Sequence, residues 1–572
     1  MSSDKSSNRP GKGRKKGKPQ PGDIPVRSAA PTPSQAAPQA LPRTSSARFR
    51  LFEQDKVEDV PVARFFERRD WFAFAITTLI VMIGYYFTLA PDLTLEDSGE
   101  LAVGSMYAGV PHPPGYPVWT LYTWLFTKLL PFSNMAWRVA MSSAVAAALS
   151  CGFIAMMVSR GSKMIFSNVE SLKDMPASAL NPICIASGFV GGMLMGFNGF
   201  MWSQAVIVEV YTLSVLTLVL QMIFLMRWMH SPHQYRWLYI AWFWGGICFT
   251  NHQTLIVALI GMEVAIMARV KALGRDRFAI NAIFYLLAFA AVKVKYGPEG
   301  IVGGTQLWAA FNCIGLFCVG MAIWLTTQTN ALFTRVIPAV LCYVPWVGGA
   351  LIYFYMPLAG MTNPPMQWGY PRIKEGFYHA LSRGQYEKAN PTSSFDRFFE
   401  QLHTYVQGAV EEFNLVYLLI CIIPVVVIFY RKLNSNQKMW LSVIVGLYTF
   451  VGIVVLGKDM AATKSTAGLL TIGPGILCGY LFLFLGAVPF VGVRDSQDRA
   501  DKAWLGGVGS MYLLLSLLLI FLLNPQPDRQ SQQLNRVFFT ASYVPITMFI
   551  GHGLALMLAG LYRRYSFWRP WV

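Results

Sequence analysis

Charge is scarce in this chain. Of 572 residues only 13% are Asp, Glu, Lys or Arg, against 54% hydrophobic, a balance that excludes a solvated globular protein and makes each acidic side chain conspicuous. Acids are the rarer sign, 29 against 47 basic residues, for a formal net charge of +18. The basic surplus is not a nucleic-acid signature, because it lies in an N-terminal tail and in short loops between apolar runs, the distribution that orients a membrane protein. Paired cysteines are missing as well. All eight cysteines fall inside apolar stretches with no CxxC and no Cys/His cluster, which argues against a zinc site or a disulfide framework and for small buried side chains. No cleavable signal peptide is expected, since the first apolar run begins too late, and no internal repeat of the transporter kind is visible.

What remains is apolar. Runs of membrane-spanning length recur from Trp71 to Leu561, so the expected fold class is all-α, a polytopic transmembrane protein of roughly 12 to 14 helices. Residues 1–65 read as a basic cytoplasmic tail, disordered over the first fifty or so, where Arg14-Lys15-Lys16 and Lys18 attract anionic lipid headgroups. Trp71 to Ala90 reads as an uncleaved signal anchor.

Orientation follows from the loops. With the tail in the cytoplasm, the first helix delivers Asp92 to His112 to the far side. The short aromatic segment Gly115 to Leu130 then decides the rest: if it lies along the outer surface instead of spanning, the loops carrying Arg160, Lys163 and Lys173, Arg236, Arg269 to Arg277, Arg431-Lys432, Arg494 to Lys502 and Arg563-Arg564 all fall inside. This places the long polar segment 361–413 outside and both termini in the cytoplasm. Spans are expected near 139–158, 183–196, 206–228, 238–250, 255–268, 278–292, 305–326, 332–357, 414–430, 440–456, 468–490, 503–523 and 538–561. The residues that were not used to fix the topology, Asp97, Glu100, His112, Gln204, Glu209, Asn251, His252, Trp368, Arg372 and Arg383, then land on or near one outer surface.

Several of these carry chemistry. Asp97 and Glu100 are three residues apart and face one side of a helical turn opening Leu101 to Ala108; a carboxylate beside apolar surface suits general-base work, and the structural alternative is a helix cap at Asp97 or Ser98 with Glu100 in a capping box. His112, in His112-Pro113-Pro114, is a titratable ring on a rigid loop or a structural hydrogen-bond partner. Glu209 is read as lying one turn inside a long apolar helix opened by Trp202-Ser203-Gln204, where a carboxylate must be paired or protonated. Asn251-His252-Gln253 interrupts an apolar run and is either interhelical polar glue or a contact to sugar hydroxyls or phosphate. Trp368, Arg372 and Arg383 combine an aromatic face with guanidinium groups suited to phosphate, or form an interfacial belt. Lys458 and Lys464 beside Asp459 are weaker phosphate candidates.

Taken together, Asp97-Ser98-Gly99-Glu100-Leu101, Gly109 to Pro117, Ala136-Trp137-Arg138-Val139, Trp202 to Val206 with Glu209 to Thr212, Asn251 to Thr254, and Asn363-Pro364-Pro365 to Trp368-Gly369 with Pro371-Arg372 resemble the protein O-mannosyltransferase family of polytopic membrane proteins, itself similar to the GT-C glycosyltransferases. The resemblance runs from about residue 70 to 390. It implies a catalytic module over 70–360 that includes a first extracytoplasmic loop at 91–137, an outer loop at 361–413, and C-terminal helices over 414–572. It also implies a polyprenyl-phosphate sugar as donor, mannose first, and inversion at the anomeric carbon. The acceptor hydroxyl would belong to protein Ser/Thr, with Asp97 as base and Glu100, His112, Glu209, Asn251 and His252 lining the site. Arg372 and Arg383 are phosphate candidates on charge alone. No cofactor beyond the lipid-linked sugar co-substrate is expected and no metal ligands are assigned, a divalent metal staying open; the partners are the lipid-linked sugar, an acceptor protein or glycan, and membrane lipid, not nucleic acid. The expected location is a bacterial plasma membrane, or the endoplasmic reticulum of a eukaryote. A lipid or glycan acceptor, or a flippase of lipid-linked sugars, are the alternatives.

Overall fold

The computed structural model describes residues 49–52, 64–302, 305–384, 391–430, 433–443, 446, 450, 500–526, 528 and 536–565. The chain opens with α1 (Arg68–Thr88), two short helices α2 (Ser98–Met106) and α3 (Pro117–Leu129), and then α4 (Met135–Phe166) and α5 (Ala177–Gly196). The short α6 (Gly199–Ala205) leads to α7 (Tyr211–His230), α8 (Tyr235–Asn251) and α9 (Ile256–Arg269). Next come α10 (Lys271–Tyr296) and α11 (Thr305–Thr329), a broken run α12 (Val336–Leu341), α13 (Tyr343–Ala350) and α14 (Tyr355–Met361), and α15 (Lys374–Leu381). The kinked α16 (Phe395–Ile420) and α17 (Ile422–Ile428) precede α18 (Ala500–Leu523) and α19 (Thr540–Arg564). Strand structure among the described residues is limited to Arg50–Leu51 pairing in parallel with Ala331–Leu332.

Ten of the described helical segments are long and apolar enough to cross a bilayer, so this is an all-α, multi-pass membrane protein. The expected spans near 238–250 and 255–268 are helices of 17 and 14 residues, short of the ~20 residues of a full span. Those near 440–456 and 468–490 lie wholly or largely outside the described residues. Pro117–Leu129 is a helix of 13 residues, too short to cross.

The centre of the bundle is α4, flanked by α1, α5, α7 and α19. Its sequence explains why. Ala, Ser and Gly dominate α4, and facing glycines on α5 remove the last obstacle to close approach: a Cβ at Gly188 would sit 2.4 Å from the Ala155 carbonyl oxygen, and one at Gly192 2.6 Å from that of Cys151. Without a hydrophobic drive between helices in lipid, such backbone-to-backbone packing is what holds them.

Hydrogen bonds sort the loops into two ends. At one end Glu67 meets Arg160 and Lys163 from the last turns of α4, and Arg69 reaches Asn181 at the start of α5. At the other, the Tyr85 hydroxyl donates to the Gly196 carbonyl, Ala90 N–H to Val206, and Trp202 Nε1–H to Thr88. The link from Asn251 to Ser214 brings the α8–α9 junction to this second end, as the Glu412 carboxylate on the Gly199 N–H brings α16.

One expectation is corrected. Glu209 does not lie inside a long helix: Asn198 caps Met201 N–H and starts the separate α6, which stops at Ala205, and the β-branched run Val206-Ile207-Val208 passes through non-helical backbone before α7 starts at Tyr211. Glu209 therefore belongs to a loop.

Candidate active site

The first loop is built around α2. Asp97 holds its N-cap position, yet its side chain makes no capping hydrogen bond, so the carboxylate is not consumed in ending the helix. Its side chain is 57% exposed, against 18% for Glu100. Glu100 turns to His112: its carboxylate accepts the His112 backbone N–H at 2.6 Å and lies 3.3 Å from Nδ1. On the other side of the ring, Nε2 is 3.2 Å from the Tyr116 hydroxyl and 3.8 Å from Asp97 Oδ2. The order Glu100, His112, Asp97 places an imidazole between two carboxylates, one half-enclosed and one facing solvent. The ligand atoms of these three residues lie within 4.8 Å of one another, and their oxygen and imidazole donors make this the place among the described residues where a divalent cation would be held.

Beneath them lies Glu209, 4% exposed. Trp119 Nε1–H and the Ser143 hydroxyl donate to its backbone carbonyl at 3.0 and 3.3 Å, and the Val210 N–H donates to its carboxylate at 3.1 Å. Burial pushes the Glu209 carboxyl up to about 8, with the neighbouring Glu96 and Asp97 carboxylates adding to the rise against the Val210 N–H. Glu209 is thus a protonated group at neutral pH beside the exposed Asp97. His252 stands nearby, its ring 5.5 Å from that of Tyr211 and its Nδ1 2.5 Å from Thr254 Oγ1. Burial lowers this imidazole to about 3, and the positive charge of Arg383 lowers it further, so the ring stays neutral and Arg383 is placed at this edge of the site.

The second outer segment closes over the first. Val110 N–H donates to Met366 O at 2.8 Å and Trp368 N–H to Val110 O at 2.9 Å. Gly109 permits the approach, because a Cβ there would fall 2.3 Å from the Met366 carbonyl oxygen. Gln253 Nε2–H donates to Leu381 O at 2.8 Å and ties the α8–α9 junction to the same segment.

The structure therefore gathers Asp97, Glu100, His112 and Glu209, sets His252 with Arg383 at the edge, and carries Trp368, 42% exposed, in on the backbone of Val110. It does not bring in the others equally. Arg372 donates to Asn363 Oδ1 at 2.6 Å and lies over the Tyr370 ring at 4.1 Å, within its own loop. Asn251 donates to Ser214 Oγ at 2.7 Å, the interhelical role, while its own Oδ1 and Gln204 Oε1 are buried without a hydrogen bond. Lys458, Asp459 and Lys464 lie outside the described residues. Sequence reasoning missed Glu96, Tyr116 and Tyr211. Glu96 stood in the same acidic run, and Tyr116 in the Pro-rich loop, four residues from His112, the spacing of one helical turn.

Comparison with known proteins adds an independent observation. Residues 97–273 match the family described as the N-terminal domain of protein O-mannosyl-transferase TMEM260. The TMEM260 match begins at Asp97 and takes in Glu100, His112, Gln204, Glu209, Asn251 and His252; Trp368, Arg372 and Arg383 fall beyond it. Protein O-mannosyl-transferase TMEM260 of Mus musculus is 26% identical over 216 residues, 37% of this chain and 28% of that protein. The protein of the same name from Dictyostelium discoideum is 25% identical over 223 residues, 36% of this chain and 24% of its own length. The matched stretch thus spans about a quarter of these TMEM260 relatives.

Proposed function

We propose that the protein transfers mannose from a polyprenyl-phosphate donor to a Ser/Thr hydroxyl of an acceptor protein at the Asp97 end of the bundle. The acceptor oxygen attacks the anomeric carbon from the face opposite the phosphate, the bond from that carbon to the phosphate oxygen breaks, and polyprenyl phosphate leaves with the electron pair. The hydroxyl proton passes to the Asp97 carboxylate, and the configuration inverts. His112, held by Glu100, orients Asp97. Protonated Glu209 donates a hydrogen bond without adding a negative charge to the departing phosphate, and Arg383 supplies the cation on that side. The lipid-linked sugar is the co-substrate, and the balance requires no further cofactor. The site opens to the outer face of the membrane, with both termini in the cytoplasm.

The observation that supports this reading most is the state of Asp97: a carboxylate at a helix start that caps nothing, has no cationic partner among the described residues and is contacted by an oriented imidazole. The relatives' names supply the sugar and the acceptor class. The test is purified full-length protein incubated with polyprenyl-phosphate mannose, glucose and arabinose together with a Ser/Thr-rich acceptor domain, reading free polyprenyl phosphate and the anomeric configuration of the product. Mannose on a hydroxyl with inverted configuration supports the proposal. Retention of configuration, or transfer only to a lipid or glycan, overturns it.

A further inference from the structure

At the Glu67 end, away from Asp97, three guanidinium groups alternate with two aromatic rings. Phe65, just before α1, carries Arg160 of α4 and Arg227 of α7 over its ring, with Cζ 4.6 and 5.1 Å from the centroid. Trp237, in the first turn of α8, carries Arg227 again at 5.3 Å and Arg236 at 5.1 Å. The order Arg160, Phe65, Arg227, Trp237, Arg236 thus runs across the last turns of α4 and α7 to the start of α8.

The carboxylates at this end are already shared. Glu67 meets Arg69, Arg160 and Lys163, and Asp70 meets Arg69. Arg227 forms no ion pair and no hydrogen bond among the described residues; its Nη1 is enclosed without an acceptor, whereas Nε and Nη2 are not enclosed. Arg236 is exposed and reaches Gln234 Oε1 at 3.4 Å, an oxygen that already accepts Trp237 Nε1–H at 2.9 Å. A cation in the last turn of a helix complements its dipole, but Arg227 donates to no carbonyl of α7 among the described residues, and Arg236 stands at a helix start, where positive charge is unfavourable. Gln234 gives that start no side-chain cap, so the first N–H groups of α8 add to the positive field. Cations gathered here without carboxylates of their own repel one another, and an anion set against them reverses the sign of that interaction.

The rings fix the guanidinium planes and leave their N–H edges to an acceptor, the arrangement that suits a phosphate oxyanion. Both α1 and α7 are of membrane-spanning length, so these cations lie where the apolar layer ends, at the depth of lipid headgroups. Trp71 and Phe72, in the first turns of α1 and linked to Phe65 through Phe66, are 51% and 55% exposed. They form an apolar flank that acyl chains cover and a free anion does not use. We propose that Arg227 and Arg236, with Arg160 on the far side of Phe65, bind the phosphate of an anionic phospholipid between α7, α8 and the start of α1. The inference does not depend on the transfer reaction, and it is tested by equilibrium binding.

The purified full-length chain, delipidated in a nonionic detergent, is titrated with dioleoyl phosphatidylglycerol or dioleoyl phosphatidylcholine and bound lipid is read by native mass spectrometry, with inorganic phosphate as competitor. The expected result is saturable retention of phosphatidylglycerol, weakened about tenfold by Arg227→Gln and about threefold by Arg236→Gln, with phosphatidylcholine held at least about tenfold more weakly. Arg563→Gln, which removes an exposed cation from the end of α19, leaves retention unchanged, and phosphate does not displace the lipid. Equal retention of the two lipids, no effect of Arg227→Gln, or an equal loss in Arg563→Gln, the mark of diffuse attraction by net charge, overturns the proposal. Displacement by inorganic phosphate overturns it too, in favour of a free-anion site. Melting temperatures accompany each variant; if Arg227→Gln lowers its own, the exposed Arg236→Gln decides alone.

Discussion

At the start of α1, Glu67 is surrounded by Arg69, Arg160 and Lys163 at 3.1, 2.8 and 2.6 Å, whereas at the opposite end Asp97, Glu100 and Glu209 have no Lys or Arg ion pair among the described residues and Asp97 and Glu100 converge on His112. Nearer the middle of the chain, Arg277 holds Glu263 and Arg275 holds Asp276, all of them buried. The same scarce side chains thus serve two purposes. Where each acid meets a base, the charges fix helix against helix and the desolvation cost is offset locally. Where an acid is buried without a base, the arrangement costs stability, as Glu209, raised chiefly by burial, shows, and such uncompensated sites are where function is found.

Substitutions separate these purposes. The largest effect is expected from Asp97→Asn: sugar transfer, followed as released polyprenyl phosphate, drops about 10²- to 10⁴-fold, the range of general-base catalysis, while the melting temperature holds. Arg277→Gln does the reverse. It strands Glu263 in the interior at a cost of about 3–5 kcal/mol, seen as a lower melting temperature, with turnover per folded molecule unchanged.

Glu209 gives a pH signature. Its folded carboxyl, near 8, lies above the ordinary value, so unfolding releases a proton and stability falls as pH rises from the unfolded value of about 4.3 through 8, then levels. Glu209→Gln has no such loss. Its stability relative to the unsubstituted protein, followed by melting temperature, rises across that window, by a few kcal/mol at most since one unit is worth about 1.4 kcal/mol. Glu67→Gln is expected to be smallest. Burial raises this carboxyl, but Lys163, Arg69 and Arg160 outweigh it and hold it below the ordinary range, so its contribution is present above about pH 4.3 and lost on acidification through the lowered value. With its side chain 38% exposed, screening limits the cost to about 1 kcal/mol, measured as a small shift in melting temperature that vanishes in acid.

How far the sequence anticipates these two ends depends on the range of the contacts. The membrane class and the helices come from local hydrophobicity. The Asp97, Glu100, His112 group is legible because three and twelve residues separate its members on one Pro-bounded loop. Arg160 and Lys163, which the charge pattern sets apart from the candidate residues, meet Glu67 at the end away from Asp97. What was not legible is set by long-range partners or by a local balance too close to resolve. Glu209 was expected inside a helix because the apolar run continues through it, and only the β-branched residues before it hint at a break. The closure of Met366 and Trp368 on Val110 joins segments some 250 residues apart in sequence.

The lipid-linked sugar is expected to meet the Asp97 end of the bundle and not the Glu67 end. A polyprenyl-phosphate mannose analogue carrying a photoreactive diazirine on the sugar, irradiated with the purified full-length protein and mapped by mass spectrometry, addresses this directly. Labelling is predicted within 92–117 and 199–211, suppressed by excess unmodified donor. Labelling confined to the Glu67 end, in 64–70, 160–176 or 227–236, would contradict it.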